Sequence, residues 1–268
     1  MAHVLAVSRD ATSRDSVMSH TSAAVLWGLP LFRLAPRRVH MTTTNPIRIS
    51  SAPDVMRHCA VLAEAEVTSR NGIQCTTLER TVFDLARTVS PEAAVSAADA
   101  GLRLVAVSGQ YQDEAAAARW RDTLREMASA ERGSRGIRQA RHVIEFADGR
   151  AQLPGESVSR LHLARLGFAT PRLQVAVADG RGGSYWMDFA LDDVHSFGEF
   201  DGKGKYLDES LRSGRSIEEV MLAEKVREDW IRGTTQRRFA RWGDEHIGSF
   251  GALGRRLAAF AIHPSGRA

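Results

Sequence analysis

Apolar positions in the first half of the chain recur three and four residues apart, the spacing of amphipathic helices. Four segments share this spacing: 76–89, 91–104, 111–131 and 134–148. The segment 19–30 also predicts a short helix, which Gly28 and Pro30 end. The stretch RRVHMTTT (37–44) is rich in β-branched residues and predicts a strand. The first half is therefore expected to be mainly helical, with a strand or two.

The predicted helix 76–89 carries a start signal of its own. Thr76 and Glu79 have the Thr-x-x-Glu spacing of a capping box, in which each side chain accepts a hydrogen bond from the other residue's backbone N–H. We therefore expect Thr76 to cap this helix.

The second half has a different pattern, in which short strand-like segments alternate with helical ones. The predicted elements are a helix at 155–168, strands at 172–179, 184–191 and 196–201, a helix at 216–233 ended by Gly233, and a strand at 236–242. The Gly- and Pro-rich stretch 147–156 separates the halves, so we expect a region 1–150 and a domain 151–268. The predicted fold class is α/β, with a mainly helical N-terminal region followed by an α-β-β-β-α-β domain around a central mixed sheet.

Composition narrows the class of protein without indicating an activity. The 268 residues are 43% hydrophobic and 25% charged, as in ordinary globular proteins. We find neither an apolar run of the roughly 18 residues that a membrane span needs nor a secretion signal, so we expect a cytoplasmic protein without membrane contact. Cys59 and Cys75 do not make a disulfide framework, and both are predicted to be small buried hydrophobic residues.

The distribution of lysine points to one short motif. Of 36 basic residues only three are lysine, and two of these, Lys203 and Lys205, lie within GEFDGKGKY (198–206). The third is Lys225. A net charge of +4 permits contact with nucleic acid but does not argue for it. Arginine serves as well as lysine on a solvated surface, whereas a compact, titratable amine beside a reacting phosphate has to be lysine.

Acidic residues gather in the predicted strands of the second half. Glu199 and Asp201 share one face of their strand, and Asp188 stands among apolar residues in the preceding strand. If these strands pair, Asp188 and Glu199 converge, and Glu156 in the preceding helix approaches from the side. Such carboxylates repel one another unless a cation neutralises them, and oxygen ligands suit Mg²⁺ or Mn²⁺. A lysine beside that metal can hold or deprotonate an attacking water.

Simpler interpretations of the same residues exist. EFDGKGKY is also typical of a charged, solvated hairpin end, and Glu156 is also an ordinary acidic residue at a helix start. Nine histidines, His20 and His40 among them, are scattered without ligand spacing, which favours packing or surface roles. A solvated helix face is the interpretation for three charged residues: Glu224, Arg227 and Glu228.

The element order of the second half, with Glu156, Asp188 and then a Glu199-x-Asp201 motif followed by lysines, resembles the PD-(D/E)XK restriction-endonuclease-like superfamily, above all its very-short-patch-repair branch. That resemblance implies a restriction-endonuclease-like fold and Mg²⁺- or Mn²⁺-dependent hydrolysis of DNA phosphodiesters. Asp188 and Glu199 would hold the metal, with Glu156 or Asp201 as an auxiliary ligand. Gln174 fits a polar position that often lines the cleft in this superfamily.

The chain departs from the superfamily pattern at the lysine, because Asp201 stands two residues after the second acid. In one interpretation the superfamily motif is aligned two residues later, so that Asp201-Gly202-Lys203 forms the D-x-K motif and Glu199 is an extra ligand. Alternatively, the amine comes from Lys225 in the next helix, a migration that the superfamily tolerates. In the second case Lys225 is catalytic, and Lys203 and Lys205 contact phosphate.

The first half resembles a different family. SHTSAAVLWGLPL (19–31), VHMTT (39–43) and the stretch 72–86 are similar to AbiEi-type antitoxins, regarded as transcriptional regulators of type IV toxin–antitoxin systems. Full-length relatives usually begin with a winged-helix DNA-binding domain, and in that interpretation this chain starts after it. Either the gene start is truncated or the winged helix has been lost. The resemblance implies DNA or a cognate toxin as partner, in a defence or toxin–antitoxin context. It also implies an alternative function, that of a catalytically inactive antitoxin or regulator.

Overall fold

The structure is a computed structural model that describes residues 16–43, 53–202 and 216–266. The chain divides into two compact units, Met1–Pro154 and Gly155–Ala268, and the division falls within the Gly- and Pro-rich stretch 147–156. Both units combine helices with sheets, which confirms the α/β class. None of the described helices has the length and apolar composition of a membrane-spanning segment.

The described part of the first unit contains helices, a five-stranded sheet and a small hairpin. In chain order its elements are β1 Ser16–Met18, α1 His20–Trp27, β2 Val39–Thr43, β3 Val55–Cys59, β4 Val67–Arg70, β5 Ile73–Thr76, α2 Leu78–Thr88, α3 Pro91–Ala106, β6 Val107–Ser108, β7 Tyr111–Gln112, α4 Glu114–Ala130 and α5 Ile137–Phe146. The predicted helices are present. The strands outnumber the strand or two that the sequence predicts.

The five-stranded sheet has the order β3-β2-β1-β5-β4. The β2 strand pairs with β3 in parallel and with β1 in antiparallel fashion, β1 and β5 are parallel, and β4 and β5 are antiparallel. Most of these strands were not predicted, because segments of three to five residues are too short to show alternation and depend on their neighbours for stability.

A tight turn joins β4 to β5. Asn71 and Gly72 have φ values of 53° and 76°, the left-handed conformation that a two-residue hairpin turn requires. The Asn-Gly pair is a strong local signal for a hairpin, although the predictions above do not include one. The turn and its two short strands lie before the first segment with helical spacing, which begins at residue 76.

The start of α2 lies one residue after the predicted capping box. Thr77 caps the helix, and its hydroxyl accepts a hydrogen bond from the Arg80 amide at 3.4 Å. Thr76 is the last residue of β5, and its hydroxyl lies 2.7 Å from that of Thr81. The prediction of Thr76 as the cap is therefore wrong. Thr76 belongs to β5 and pairs within the sheet, so the helix begins one residue later.

The two cysteines have different surroundings. Cys75 is buried in the core of the first sheet with Met18, Val39 and Met41, as predicted. Cys59 is exposed, so the prediction of a buried residue is wrong for it. Cys59 is the last residue of β3, which is an edge strand among the described strands of this sheet. No described strand covers its outer side, and this position leaves the side chain exposed.

The described part of the second unit is built around a four-stranded mixed sheet. Its elements are α6 Pro154–Leu166, β8 Arg172–Ala178, β9 Ser184–Leu191, β10 Ser196–Asp201, α7 Ile217–Thr235, β11 Arg238–Gly243 and α8 Phe250–Ala258. The strand order is β11-β10-β9-β8, with β10 and β11 parallel and the other pairs antiparallel.

Two helices of this unit differ from the predictions. The α7 helix continues through Gly233 and ends at Thr235, before the left-handed Gln236 with φ of 55°. A glycine inside a helix weakens it without ending it, so the predicted stop at Gly233 is wrong. The α8 helix was not predicted.

A buried tryptophan joins the sheet of the second unit to α6. The indole of Trp242 on β11 stacks on Phe189 of β9 with ring centroids 5.4 Å apart, and its N–H donates to the Ser159 hydroxyl at 2.8 Å. Gly198 of β10 leaves room for this ring, because a Cβ added there would lie 2.3 Å from the Cη2 atom of Trp242. The Trp242 ring therefore packs directly on the backbone of β10 at Gly198, where a larger residue does not fit.

Replacing Gly198 by alanine tests this packing. The buried indole has no room to shift, so we expect Gly198→Ala to lower the free energy of unfolding by about 1–3 kcal/mol, measured by urea denaturation followed by circular dichroism. The control Gly233→Ala adds a methyl group in α7 with no atom within 4 Å. It should raise stability by about 0.5–1 kcal/mol. Equal unfolding midpoints for the two variants would contradict the tight packing of β10.

Candidate functional site

The polar residues predicted for the second unit lie in one row across its sheet. The antiparallel pairing of β9 and β10 ends at Phe189 and Gly198, and Asp188 and Glu199 are the next residues of the two strands. Glu199 pairs with Arg241 of β11. On the other side, β8 and β9 pair at Leu173 with Phe189 and at Val175 with Met187, so Gln174 and Asp188 are the intervening residues of the two strands. We call these four residues the polar row, in the order Gln174, Asp188, Glu199 and Arg241.

Backbone and side-chain hydrogen bonds anchor one half of the polar row. Asp188 accepts a hydrogen bond from the backbone N–H of Phe200 at 2.8 Å, through Oδ2. Gln174 has a left-handed φ of 48°, and its amide nitrogen donates to Oε2 of Glu156 at 3.4 Å. Glu156 is buried in the first turn of α6, so it approaches the row from the helix side, as the sequence predicts.

Two arginines bind the carboxylate of Glu199, which is only 6% exposed. Arg227 of α7 donates through Nη2 to both Glu199 oxygens at 2.6 Å, and Arg241 donates through Nε to Oε2 at 3.0 Å. Both arginines also donate to Glu224 of α7. We call these residues the Glu199 network, namely Glu199, Glu224, Arg227 and Arg241.

The Glu199 network balances its own charge, with two carboxylates and two guanidinium groups. Burial raises the pKa of Glu199 above its ordinary value, and nearby Asp188 adds to this while both arginines oppose it. Burial acts on Glu224 in the same direction, but its bonds to Arg227 and Arg241 outweigh burial and leave its pKa below the ordinary value. Charge-assisted bonds of this kind are roughly twice as strong as neutral ones, so the network fixes α7 against the sheet.

The lysines predicted for this site have other placements. Lys225 is exposed on α7, while Arg227 two residues later reaches Glu199. Lys203 and Lys205 lie outside the described residues. Asp201 is half-buried and lies near enough to Arg241 to raise the pKa of that guanidinium, although burial works against the rise.

The interpretation of Glu224 and Arg227 as a solvated helix face is wrong. Glu224, Arg227 and Ile231 recur at helical spacing, and this face of α7 is turned toward the sheet. Lys225 stands about 100° around the helix from Glu224 and therefore faces water. The spacing is visible in the sequence, but charged residues usually mark the solvent-facing side of a helix, so this face was assigned to solvent.

A second cluster of titratable groups occurs in the first unit, and the sequence analysis missed it. Across the described ranges, one group of three histidine, cysteine or acidic side chains has ligand atoms all within 4.8 Å of one another: His20, His40 and His58. We call it the histidine cluster. The carboxylates of the polar row do not form such a group among those residues.

Strand pairing and the start of α1 assemble the histidine cluster. His58 of β3 pairs with Thr42 of β2 in the parallel register, and Thr42 shares a face of its strand with His40. His20 is the first residue of α1 and has a left-handed φ of 50°. The backbone N–H of His40 donates to the Ser22 hydroxyl at 2.8 Å, which holds the start of α1 against β2. The three histidines come from separate elements, so no local spacing in the sequence could reveal the cluster.

Contacts between the rings are close. Nδ1 of His40 lies 3.0 Å from Nε2 of His58, so one of these atoms donates to the other. The rings of His20 and His58 stack with centroids 3.6 Å apart. Nδ1 of His20 lies 3.0 Å from the Ser19 hydroxyl.

Charged groups of α2 adjoin the histidine cluster. Asp84 accepts a bond from Arg80 through Oδ1 at 3.0 Å, and Arg80 also binds Glu66 at 3.0 Å. The other oxygen of Asp84 has no hydrogen-bond partner among the described residues and lies 3.8 Å from Nδ1 of His20. A cavity of about 240 Å³ opens beside these groups, and His20, His58 and Asp84 are among its lining residues.

Burial dominates the titration of these groups. It lowers the pKa of His20 from 6.5 to about 2, with further lowering from the neighbouring histidines and arginines. It lowers the pKa of His58 to about 4 and also lowers that of His40, where Arg38 adds to the effect. The same burial raises the pKa of Asp84 from 3.8 to about 6, although Arg80 opposes this. The three imidazoles are therefore neutral at pH 7.

Comparison with known proteins finds relatives without a described activity. The chain is 29% identical over 181 residues to two uncharacterized proteins of Mycobacterium tuberculosis, MT2308 of strain CDC 1551 / Oshkosh and Rv2248 of strain ATCC 25618 / H37Rv. The match covers 67% of this chain and 60% of each relative, so the chain spans less than two thirds of their length. No protein-family model and no solved structure matches. These comparisons therefore indicate no activity for this chain.

Removing one arginine tests the Glu199 network. Arg227→Ala leaves Glu199 and Glu224 with a single guanidinium, so we expect the free energy of unfolding to fall by about 3 kcal/mol, the lower end for breaking a buried ion pair. The control Lys225→Ala changes an exposed residue of the same helix and should alter stability by less than about 0.5 kcal/mol. Both are measured by urea denaturation. Similar losses for the two variants would show that the network contributes nothing specific.

The histidine cluster predicts a loss of stability as pH falls. Between pH 6.5 and about 4, the unfolded chain binds protons at His20 and His58 that the folded chain excludes, so stability decreases as pH falls through this range. Asp84 works in the opposite direction, because its raised pKa lets the folded chain bind a proton that the unfolded chain does not bind. Two histidines outweigh one carboxylate, so the net effect is a loss.

His20→Asn keeps a residue that tolerates the left-handed backbone and removes one of these titrating sites. Between pH 6 and 5 it should reduce the slope of stability against pH by about 1.4 kcal/mol per pH unit, measured by urea denaturation in chelator. His142→Asn, at an exposed histidine of α5, is the matched control and should keep the wild-type slope. An unchanged slope in His20→Asn would refute the assignment.

Proposed function

We propose that this chain is a nuclease-like DNA-binding protein of the antitoxin or transcriptional-regulator class, whose second unit binds DNA without hydrolysing it. The observation that carries the proposal is the occupation of both Glu199 oxygens by Arg227 and Arg241. In this proposal, two guanidinium groups neutralise the buried acid where an active nuclease would use a metal ion.

The polar row supports the nuclease-like part of the proposal. Gln174, Asp188 and Glu199 lie on three neighbouring strands, each next to a paired residue of its strand, and Asp188 is near enough to raise the pKa of Glu199, which burial raises first. Glu156 reaches the row from the preceding helix. These are the residues that the resemblance to the restriction-endonuclease-like superfamily assigns to its cleft. We therefore assign the α-β-β-β-α-β part of the second unit to that fold.

A divalent cation does not fit the site in its present arrangement. Mg²⁺ would need several oxygens about 2.1 Å from the ion, but Glu199 already accepts hydrogen bonds from Arg227 and Arg241 on both oxygens. One oxygen of Asp188 accepts from a backbone amide. An added cation would also be repelled by the two guanidinium groups.

The choice of DNA as ligand follows from both resemblances. Arginine makes up all but three of the 36 basic residues, and its planar fork suits bidentate contact with phosphate. The antitoxin resemblance also implies a cognate toxin protein as a partner. DNA is the ligand that both halves of the chain have in common under these resemblances.

The second candidate function is metal-dependent hydrolysis of DNA, which the meeting of Asp188 and Glu199 in the polar row favours. Mg²⁺ or Mn²⁺ would then be held by these two acids, with Glu156 or Asp201 as the auxiliary ligand. Either Lys225 or Lys203 would be the activating amine. This function requires both arginines to release Glu199 first.

A binding and cleavage experiment distinguishes the two functions. We expect the full chain to bind labelled DNA in the presence of EDTA with a Kd of about 10⁻⁴–10⁻⁶ M for non-specific sequence, weakening as salt increases. Fluorescence anisotropy measures this for duplex and single-stranded DNA. We expect no cleavage of the same DNA with Mn²⁺.

Cleavage with Mn²⁺ that Asp188→Asn abolishes, and that the exposed control Asp229→Asn retains, would establish the second candidate in place of the first. Failure to bind DNA both with and without Mn²⁺ would reject the DNA-binding proposal. Binding only to a co-expressed neighbouring toxin would point to the protein partner instead.

A further inference from the structure

We propose that His20, His40 and His58 bind one transition-metal ion in the first unit, and that zinc is the ion best matched to them. This site is separate from the acids of the second unit. It does not rest on the DNA-binding function proposed above.

Distances within the histidine cluster suit a shared metal. Zinc bonds to imidazole nitrogen at about 2.0–2.1 Å, so two nitrogens on a tetrahedral ion lie about 3.3 Å apart. Nδ1 of His40 and Nε2 of His58 are 3.0 Å apart and share one proton, which a metal would replace. Ligand atoms of all three residues lie within 4.8 Å of one another, so His20 has to close by a small side-chain rotation.

The surroundings of Nδ1 of His20 also suit a metal. Its Nδ1 lies beside the Ser19 hydroxyl at 3.0 Å and the unpartnered Asp84 oxygen at 3.8 Å. When Nδ1 carries the proton and donates to one of these oxygens, Nε2 presents its lone pair. Metal-bound histidines usually donate their other N–H in this way, which fixes the ring.

Asp84 supplies an independent indication of a cation. Its side chain belongs to a residue only 3% exposed, and one carboxylate oxygen has no hydrogen-bond partner. A buried unsatisfied carboxylate oxygen is costly, and a metal held by His20 would draw Asp84 into a hydrogen bond with Nδ1 and balance its charge. Three carboxylates nearby, those of Asp84, Glu66 and Glu131, pair with Arg80 and Arg87 and offset the charge of these two guanidinium groups.

Ligand chemistry selects the metal. Three imidazoles suit zinc, copper, nickel, cobalt and iron, whereas Mg²⁺ and Mn²⁺ prefer oxygen ligands. Three protein ligands leave a fourth position of zinc open, the arrangement of catalytic rather than structural zinc sites. His20 and His58 line the 240 Å³ cavity beside Asp84, so the open position would be accessible to water or a small ligand.

Metal titration of the full chain tests the site. After removal of metal with chelator, we expect one Co²⁺ per chain with the strong visible absorption of four- or five-coordinate cobalt, and displacement of Co²⁺ by one equivalent of Zn²⁺. Mg²⁺ should not displace it. The absence of any Co²⁺ or Zn²⁺ binding would overturn the proposal and leave the cluster a packing feature.

Variants locate the ion. His58→Gln, at a half-buried residue of an edge strand, removes one ligand and should weaken Zn²⁺ binding by at least about 100-fold, while Asp84→Asn should weaken it about 10–100-fold and keep one ion per chain. His142→Gln, at an exposed histidine of the same unit, is the control and should bind like wild type. Wild-type affinity in His58→Gln would overturn the assignment.

Zinc X-ray absorption on the wild-type chain gives a readout that needs no variant, should His58→Gln fail to fold. Three imidazole ligands are expected, and fewer than three would overturn the site. None of these readouts involves DNA, so the metal site and the DNA-binding function succeed or fail separately.

Discussion

Glu199 places a carboxylate inside β10, an interior strand of the second unit's sheet, where little water reaches it. An unpaired charge at such a position costs several kcal/mol, so the surrounding elements have to supply positive charge. Arg241 does so from the neighbouring strand and Arg227 from α7. The placement of α7 against the sheet, and the inward turn of its charged face, follow from this requirement.

This pairing has consequences for chemistry. Guanidinium groups stay protonated at any physiological pH, so Arg227 and Arg241 can hold charge and contact phosphate but cannot accept a proton from water. A metal at the same place would bind and activate water, which the arginines do not do. Under the proposed function, the difference between a nuclease and a nuclease-like binding protein therefore lies in which cation neutralises Glu199.

The first unit meets a related constraint in another way. His20, His40 and His58 are crowded together and partly removed from water, and burial, with nearby positive charge as a smaller cause, lowers the pKa of each imidazole and keeps it neutral. Asp84 beside them is buried with one oxygen unpartnered. Neutral imidazole is the form that binds a metal, so the packing that suppresses charge also prepares ligands.

The sequence by itself determined the type and order of most elements, because helical spacing and strand alternation are local properties that a segment carries with it. It also pointed to Asp188 and Glu199, because an acid amid apolar strand residues is visible without a structure. Glu156 was suggested by its place at a helix start, and Gln174 only by the family resemblance. Very short strands such as β1 and β4 were missed, since their stability comes from partners elsewhere in the chain.

Only the tertiary structure decided what these residues contact. Arg241 meets Glu199 because β11 lies next to β10 in one particular register, and Arg227 rather than Lys225 reaches it because one face of α7 packs on the sheet. The histidine cluster likewise requires β2, β3 and α1 to come together. Such pairings join residues far apart in the chain, and a pattern read along the chain carries no information about which of them become neighbours.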